Sequence, residues 1–299
     1  MAEPSIEDAN QIEIDKKKTT DGLWVEAWKR LLKNKIALFG LGIILILIVT
    51  AILAPIIAPY DPIETDILQR LKAPSGEHLL GTDDLGRDIL SRLIYGSRIS
   101  LQVGVISVSF ALIFGVTIGL LAGYYGGKVE LILMRVIDVM LAFPSILLAI
   151  AIMAILGPQL SNAMIAIGLI NLPRFARIVR SSVLTVKEEE YVAAAKSLGA
   201  SDFRIIIKHI LPNCLAPLIV QSTLSIATAI LEAAGLSFLG LGAQPPIPEW
   251  GAMLSAGRAS LQLAPWVVTF PGLAIVITVL GFNLFGDGLR DALDPKMKR

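Results

Sequence analysis

Residues 36–60 read IALFGLGIILILIVTAILAPIIAPY and contain no charged side chain over 25 positions. A helix needs about 20 consecutive apolar residues to cross a hydrocarbon core roughly 30 Å thick. The stretch therefore predicts a transmembrane helix. It is too long for the apolar region of a cleaved signal peptide, and a polar segment precedes it, so we expect it to stay in the protein.

The rest of the chain has the same character. Further uncharged stretches occupy residues 99–127, 139–173, 210–231 and 259–286. Residues 139–173 are too long for one span, and Gly157-Pro158 divides them at a predicted turn, so we expect two helices there. The sequence therefore predicts six transmembrane helices.

Composition favours an all-α polytopic membrane protein. Hydrophobic residues make up 55% of the 299 residues and charged residues only 17%, whereas about a quarter of the residues of a soluble domain are charged. The mean hydropathy is +0.71. These values disfavour a disordered chain, a soluble enzyme and a coiled coil.

Lysine and arginine are distributed unevenly among the predicted connections. The two terminal segments, the connection after the second span and residues 174–208 carry 20 of the 26, and the opposite side carries six. Because cytoplasmic connections are enriched in these residues, we expect both termini and residues 180–212 in the cytoplasm. Residues 61–98 and 243–264 are expected outside.

These spans give the predicted organisation of the chain. It comprises a disordered cytoplasmic tail at 1–22, an interfacial amphipathic helix at 23–35, the first transmembrane helix at 36–60, an extracytoplasmic segment at 61–98, a core domain with five transmembrane helices at 99–286, and a cytoplasmic tail at 287–299. In residues 23–35, tryptophans and cations at helical spacing predict a helix in the inner membrane interface. A helix that docks a partner protein is the alternative.

The extracytoplasmic segment contains the run GTDDLGRD at residues 81–88. It predicts a turn that leads into a helix, with Asp84 as the N-cap and Asp88 paired with Arg92 at i,i+4. The run lacks the alternating aspartates and the terminal glutamate of an EF-hand, so we do not expect it to bind calcium.

Three glycines are spaced four residues apart in the second predicted span. Gly115, Gly119 and Gly123 form overlapping small-xxx-small repeats, which let a second helix backbone approach closely. They therefore predict helix packing, and a substrate path along this face is the alternative.

No catalytic residue is predicted. Two histidines and Cys214 are too few for a zinc site of Cys and His ligands, and no metal, cofactor or nucleic-acid partner is expected. Gly127-Lys128 is followed by Val129 rather than by the Ser or Thr that a phosphate-binding loop requires. We therefore expect this chain to hydrolyse no ATP.

Two acidic residues lie nearest the predicted membrane interior. An ionisable group there is a functional hypothesis. Asp138 is expected to pair with Arg135, and Glu232 is expected at the outer end of the fifth span, within reach of water. A proton relay is the alternative, but pumps place chains of such groups deeper in their spans.

The most informative connection is the segment 187–212, which we call the coupling segment. It begins KEEEYVAAAKSLGASD and continues to Leu211-Pro212. Residues 188–198 favour a helix, Gly199 would end it in a left-handed conformation, and Ser201 or Asp202 could cap a second helix. Such an ordered connection, with small and charged side chains, suits docking into a groove on a soluble partner.

The coupling segment resembles the coupling loop of bacterial ABC importer permeases, which has the pattern EAA, three residues, Gly, nine residues and Ile-x-Leu-Pro. Ala193 stands where the pattern has Glu, and His209 stands where it has Ile. The Glu-Tyr-Val-x-Ala-Ala form is similar to the dipeptide and oligopeptide branch. The residues that the resemblance assigns to contact with the ATPases are Glu190, Tyr191, Ala194, Ala195, Gly199, Ala200, Asp202, Leu211 and Pro212.

Other runs extend the resemblance to residues 24–295. They are Gly81-Thr82-Asp83 through Asp88, Ala142-Phe143-Pro144, residues 236–242, Pro248-Glu249-Trp250-Gly251 and residues 286–291. Together they are similar to the C-type permease subunit of a dipeptide importer. The resemblance implies a homologous second permease subunit, two cytoplasmic ATPases, an extracytoplasmic binding protein and a multi-pass location in the bacterial cell membrane.

Three alternatives remain open. Nickel or another small solute is a substrate that related permeases carry. A secondary transporter coupled to protons or sodium would show inverted repeats and intramembrane charges, and its coupling segment would have no purpose. A scaffold without transport activity would not require the polar motifs on both faces.

Overall fold

The structure, a computed structural model, describes residues 23–293. The predicted disordered tail at 1–22 therefore lies outside the described residues, as do residues 294–299. Helices account for most of the described chain, which forms no β-strand. They are α1 (Leu23–Leu31), α2 (Lys35–Ile57), α3 (Ile89–Tyr125), α4 (Gly127–Ala142), α5 (Ser145–Leu156), α6 (Leu160–Val186), α7 (Glu190–Ser197), α8 (Asp202–Ile205), α9 (Leu211–Phe238), α10 (Trp250–Gly257) and α11 (Trp266–Leu293).

Five helical segments are long and apolar enough to cross a membrane. They are α2, α3, α6, α11 and the continuous segment Asp202–Phe238, which contains α8 and α9. Helices α4 and α5 make a sixth span if they are counted together, although a bend of 98° separates them. The predicted all-α polytopic membrane fold is confirmed. The orientation of the termini stays a prediction.

The bend between α4 and α5 lies at Phe143-Pro144. Phe143 has φ −95° and ψ 141°, an extended conformation that the following proline favours because its ring clashes with a helical preceding residue. The expected turn at Gly157 is also present, since α5 ends at Leu156 and Gly157 has φ +90°. The third span is therefore interrupted rather than one straight helix.

Helix α6 is longer than the fourth predicted span. Pro173 lies inside the helix, whereas the uncharged stretch ends at this residue, so that Arg174 and Arg177 were expected in a cytoplasmic connection. Transmembrane helices tolerate proline because neighbouring groups satisfy the freed carbonyl. Both arginines therefore belong to α6. Similarly, α11 runs to Leu293, so residues 287–293 of the predicted tail are helical.

Helices α3 and α6 form the centre of the molecule, where the three spaced glycines meet α6. A Cβ added at Gly119 would lie 2.6 Å from the carbonyl oxygen of Ala176 and 2.7 Å from Val179 Cβ. The corresponding distances are 2.6 Å from Gly115 to Phe175 Cβ and 2.8 Å from Gly123 to Val183 Cβ. The backbones of α3 and α6 are too close for any larger residue.

Helix α1 packs by one face against the first half of α9 and the last turn of α11. Ala27 and Leu31 are buried there with Val220, whereas Trp28 and Leu32 are about half exposed on the other face. Asn34 ends this segment and caps α2, since its side chain accepts hydrogen bonds from the next helix.

The predicted orientation can be tested with two exposed positions. In a Cys214→Ala background, we expect an impermeant thiol reagent to label Leu68→Cys in intact cells and Leu198→Cys only after permeabilisation. Both leucines are nearly fully exposed, at 90% and 88%, so access depends on the side of the membrane. The wild-type chain is the control: its one cysteine, Cys214, is buried, so it should not be labelled in either preparation. Labelling of Leu198→Cys in intact cells would reverse the topology.

Candidate functional site

The coupling segment forms two short helices separated by a tight corner. Helix α7 ends at Ser197, and Gly199 has φ +82°. The Gly199 amide donates to the Lys196 carbonyl and the Ala200 amide to the Ala195 carbonyl, at 3.0 and 3.1 Å. A left-handed residue after a helix allows this pattern, and glycine adopts it without a steric penalty.

The corner presents an exposed surface. A Cβ added at Gly199 would meet nothing within 4 Å, and Leu198 and Phe203 on either side are 88% and 75% exposed. Val192 is buried and anchors α7 to the main core. The predicted contact residues Glu190, Tyr191, Ala194, Gly199, Asp202 and Pro212 are exposed, and Ala195, Ala200 and Leu211 are partly buried. Leu198 and Phe203 were not among the predicted contact residues, because they are not part of the motif on which the resemblance rests.

Polar contacts attach the coupling segment to two membrane helices. The Tyr124 hydroxyl on α3 donates to Asp202 Oδ1 at 2.7 Å. On the other side, Asn213 Nδ2 on α9 donates to the Tyr191 hydroxyl at 3.1 Å. Burial raises the pKa of Tyr191, and the charge of Glu189 acts in the same direction, so this hydroxyl keeps its proton at neutral pH.

A π-helical turn at Ile206–Ile210 joins α8 to α9. Pro212 follows it and has no amide hydrogen to donate, while the Leu211 amide donates to Ile206 five residues earlier. The wide turn accommodates a proline near the start of α9. The coupling segment therefore continues into a membrane helix without an intervening loop.

Buried ionic contacts stabilise residues 61–98, the segment that is predicted to be extracytoplasmic. Asp88, rather than the predicted Asp84, caps α3: it accepts from the Ser91 amide at 2.8 Å and contacts His78 Nδ1 at 2.9 Å. The predicted pairing of Asp88 with Arg92 is wrong, because Arg92 lies instead 3.6 Å from Asp83. The helix begins one turn later than predicted, and Asp84 lies in the preceding turn with its side chain 35% exposed.

Two ion pairs join α4 to α6. Asp138 contacts Arg177 at 2.7 Å, so its predicted pairing with Arg135 is wrong, and Arg180 pairs with Glu130. The packing of α4 beside α6 supplies these partners, which sequence spacing within α4 cannot reveal.

Glu232 is also placed differently from the prediction. Helix α9 continues to Phe238, so Glu232 lies within the helix rather than at its end. Its Oε2 accepts a hydrogen bond of 2.7 Å from Asn171 Nδ2 on α6. The uncharged stretch that predicted the fifth span ends at Leu231, which is why Glu232 was expected at the end of that span.

Family models match two parts of the chain. Residues 22–74 match the N-terminal transmembrane domain of oligopeptide transport permease C. Residues 115–299, more than half of the chain, match the binding-protein-dependent transport system inner membrane component. The chain belongs to this transport family. The resemblance noted in the coupling segment is thereby confirmed.

Three relatives cover nearly the whole chain. The dipeptide transport system permease protein DppC of Alkalihalophilus pseudofirmus is 60% identical over 275 residues, 92% of this chain and 90% of that protein. The di/tripeptide transport system permease protein DppC of Pseudomonas aeruginosa is 51% identical, covering 91% and 92%. The glutathione transport system permease protein GsiD of Pectobacterium atrosepticum is 49% identical, covering 92% of each.

Solved structures share the fold at lower identity. The MetNI methionine ABC transporter in inward-facing conformations matches with a TM-score of 0.54 and 20% identity, over 68% of this chain and 96% of that chain. An amino acid ABC transporter with histidines matches with a TM-score of 0.52 and 15% identity, over 67% and 92%. This family member therefore has an ABC transporter fold.

Proposed function

We propose that this chain is the transmembrane permease subunit of an ATP-driven importer for dipeptides or short oligopeptides. The observation that carries the proposal is the exposed corner at Gly199, held by hydrogen bonds to α3 and α9. A soluble ATPase that binds this corner can move both helices. Relatives with dipeptide, di/tripeptide and glutathione permease names support the peptide substrate.

The proposed assembly divides the work among several chains. A homologous second permease subunit completes the pore, two cytoplasmic ATPases bind the coupling segments, and an extracytoplasmic binding protein delivers the peptide. This chain forms half of the pore in the bacterial inner membrane and carries out no covalent chemistry. Closure of the ATPases moves the coupling segments and shifts the pore between inward and outward access.

We further propose that α1 lies in the inner membrane interface. Its exposed apolar side chains Val25 and Trp28 share one side of the helix with Leu32, which directly follows it, and Arg30 and Lys33 place positive charge at its C-terminal end. Apolar contact with acyl chains and attraction to anionic headgroups both favour this position.

The energy source distinguishes this proposal from a secondary transporter. We expect the purified chain alone to hydrolyse no ATP, because it lacks a phosphate-binding loop. In proteoliposomes with all partners, uptake of alanyl-alanine should persist when the proton gradient is collapsed and ATP is retained. Vesicles without ATP are the control. Uptake that follows the proton gradient in those vesicles would favour ion coupling, and uptake of nickel but not peptide would favour the metal alternative.

A further inference from the structure

A polar cluster lies between α6 and α9, inside the membrane-spanning part of the chain. It consists of Asn171 and Arg174 on α6 and Glu232 on α9. Asn171 is 1% exposed, and its Nδ2 donates to Glu232 and to the Ile167 carbonyl at 2.7 and 3.0 Å. Among the described residues, none donates to Asn171 Oδ1, which is buried. Because buried polar atoms are nearly always hydrogen-bonded, this oxygen is free to accept a hydrogen bond from water or from a bound molecule.

The cluster lies near the middle of the bilayer. A Cβ added at Gly115 would lie 2.9 Å from the Leu172 carbonyl oxygen, so the cluster on α6 is close to the level of Gly115. Gly115 precedes Tyr125, the inner end of α3, by roughly 15 Å at a rise of 1.5 Å per residue. Tyrosines are enriched at the membrane interface, and half of the hydrocarbon thickness is about 15 Å.

Two opposite charges lie near this depth without forming an ion pair. Arg174 follows Asn171 by one helical turn, is exposed, and interacts electrostatically with Glu232. Glu232 is partly exposed, as are Thr228 and Gly235 one turn before and after it. Charges at the bilayer centre face protein or a water-filled cavity because lipid cannot solvate them. This side of α6 and α9 therefore lines a polar space.

The arrangement fits a zwitterion better than a structural link between helices. A link requires only the Asn171–Glu232 hydrogen bond, and it leaves Asn171 Oδ1 without a donor and Arg174 exposed. A peptide has an ammonium group that can donate to both Glu232 and Asn171 Oδ1, and a carboxylate that matches a guanidinium.

We propose that Glu232, Asn171 and Arg174 form a binding site for the charged termini of a peptide as it crosses the membrane. The ammonium group binds Glu232 and Asn171, and the carboxylate binds Arg174. The site rests on the proposed peptide import and adds a contact within this chain to the selection made by the binding protein.

The first test removes the charge and keeps the shape. In proteoliposomes with all partners and saturating loaded binding protein, Glu232→Gln should lower alanyl-alanine uptake by about tenfold or more, as expected for the loss of a charge-assisted hydrogen bond. ATP hydrolysis stimulated by the loaded binding protein should persist. Asp138→Asn is the matched control, because it removes the negative charge of another carboxylate that contacts α6, and it should keep wild-type uptake. Wild-type uptake by Glu232→Gln would overturn the site.

The second test restores the charge, which separates binding from packing. In a Cys214→Ala background, Glu232→Cys should transport poorly and should recover after reaction with an anionic thiosulfonate, but not with a neutral or cationic one of similar size. Equal recovery with the neutral reagent would assign Glu232 to packing and overturn the site. Absence of alanyl-alanine uptake by the wild-type complex would instead overturn the proposed function, and the site with it.

Discussion

Gly199→Val is expected to reduce peptide uptake to background while the protein still inserts and folds. Gly199 has φ +82°, and a residue with a Cβ in the left-handed region costs about 1–2 kcal/mol, with β-branched side chains the least tolerant. The corner lies outside the packed membrane helices and has free space around it. The substitution should therefore redirect the coupling segment without disturbing the core.

Gly199→Asn separates the two explanations for a required glycine. Asparagine tolerates the left-handed conformation, so it should restore uptake if the backbone angle alone matters. If an ATPase contacts the corner closely, asparagine should still impair uptake. Both variants are compared at matched membrane levels for alanyl-alanine uptake and for co-purification of the ATPases. Normal uptake and ATPase retention by Gly199→Val would contradict the coupling assignment.

Gly119→Ala is expected to destabilise the fold, although it adds a single methyl group. Its Cβ would lie 2.6 Å from the Ala176 carbonyl oxygen, and the α6 backbone cannot move without disturbing the core. Overpacking of this kind costs about 1–3 kcal/mol, more than the roughly 1 kcal/mol that alanine contributes to helix formation. We expect a lower unfolding temperature in detergent and less folded protein in membranes.

Gly42→Ala is the matched control on another membrane helix. A Cβ at Gly42 meets nothing within 4 Å, so this variant should be as stable as the wild type or slightly more stable. Thermal unfolding followed by size-exclusion chromatography compares the two variants. Equal stability of Gly119→Ala and Gly42→Ala would show that α3 and α6 can separate at little cost.

The sequence predicted the membrane spans well because the absence of charge over 20 or more residues is a strong local signal. The stretch 36–60 became α2 at Lys35–Ile57, and the turn at Gly157 occurs where expected. The bend at Phe143-Pro144 was not predicted, since the apolar run continues through it. The passage of α6 through Pro173 also depends on neighbouring helices, which a single sequence does not display.

The candidate sites were predictable only where they follow local spacing. The corner at Gly199 has a recognisable pattern of helix, glycine and helix. The hydrogen bond between Tyr124 and Asp202 joins residues 78 apart in sequence, and that between Asn171 and Glu232 joins residues 61 apart. Such contacts arise from packing, so the sequence placed Glu232 beside water and Asp138 beside Arg135.

The coupling segment continues into α9 without a flexible connection. The continuous helical segment Asp202–Phe238 contains 37 residues, which is a helical path of roughly 55 Å at 1.5 Å per residue. A π-helical turn at Ile206–Ile210 and Pro217 lie in the first half of this path, and such features are the usual places where a helix bends. A displacement of the corner at Gly199 therefore passes along helical backbone to the far end of α9, and the π-helical turn and Pro217 are the points where its direction can change.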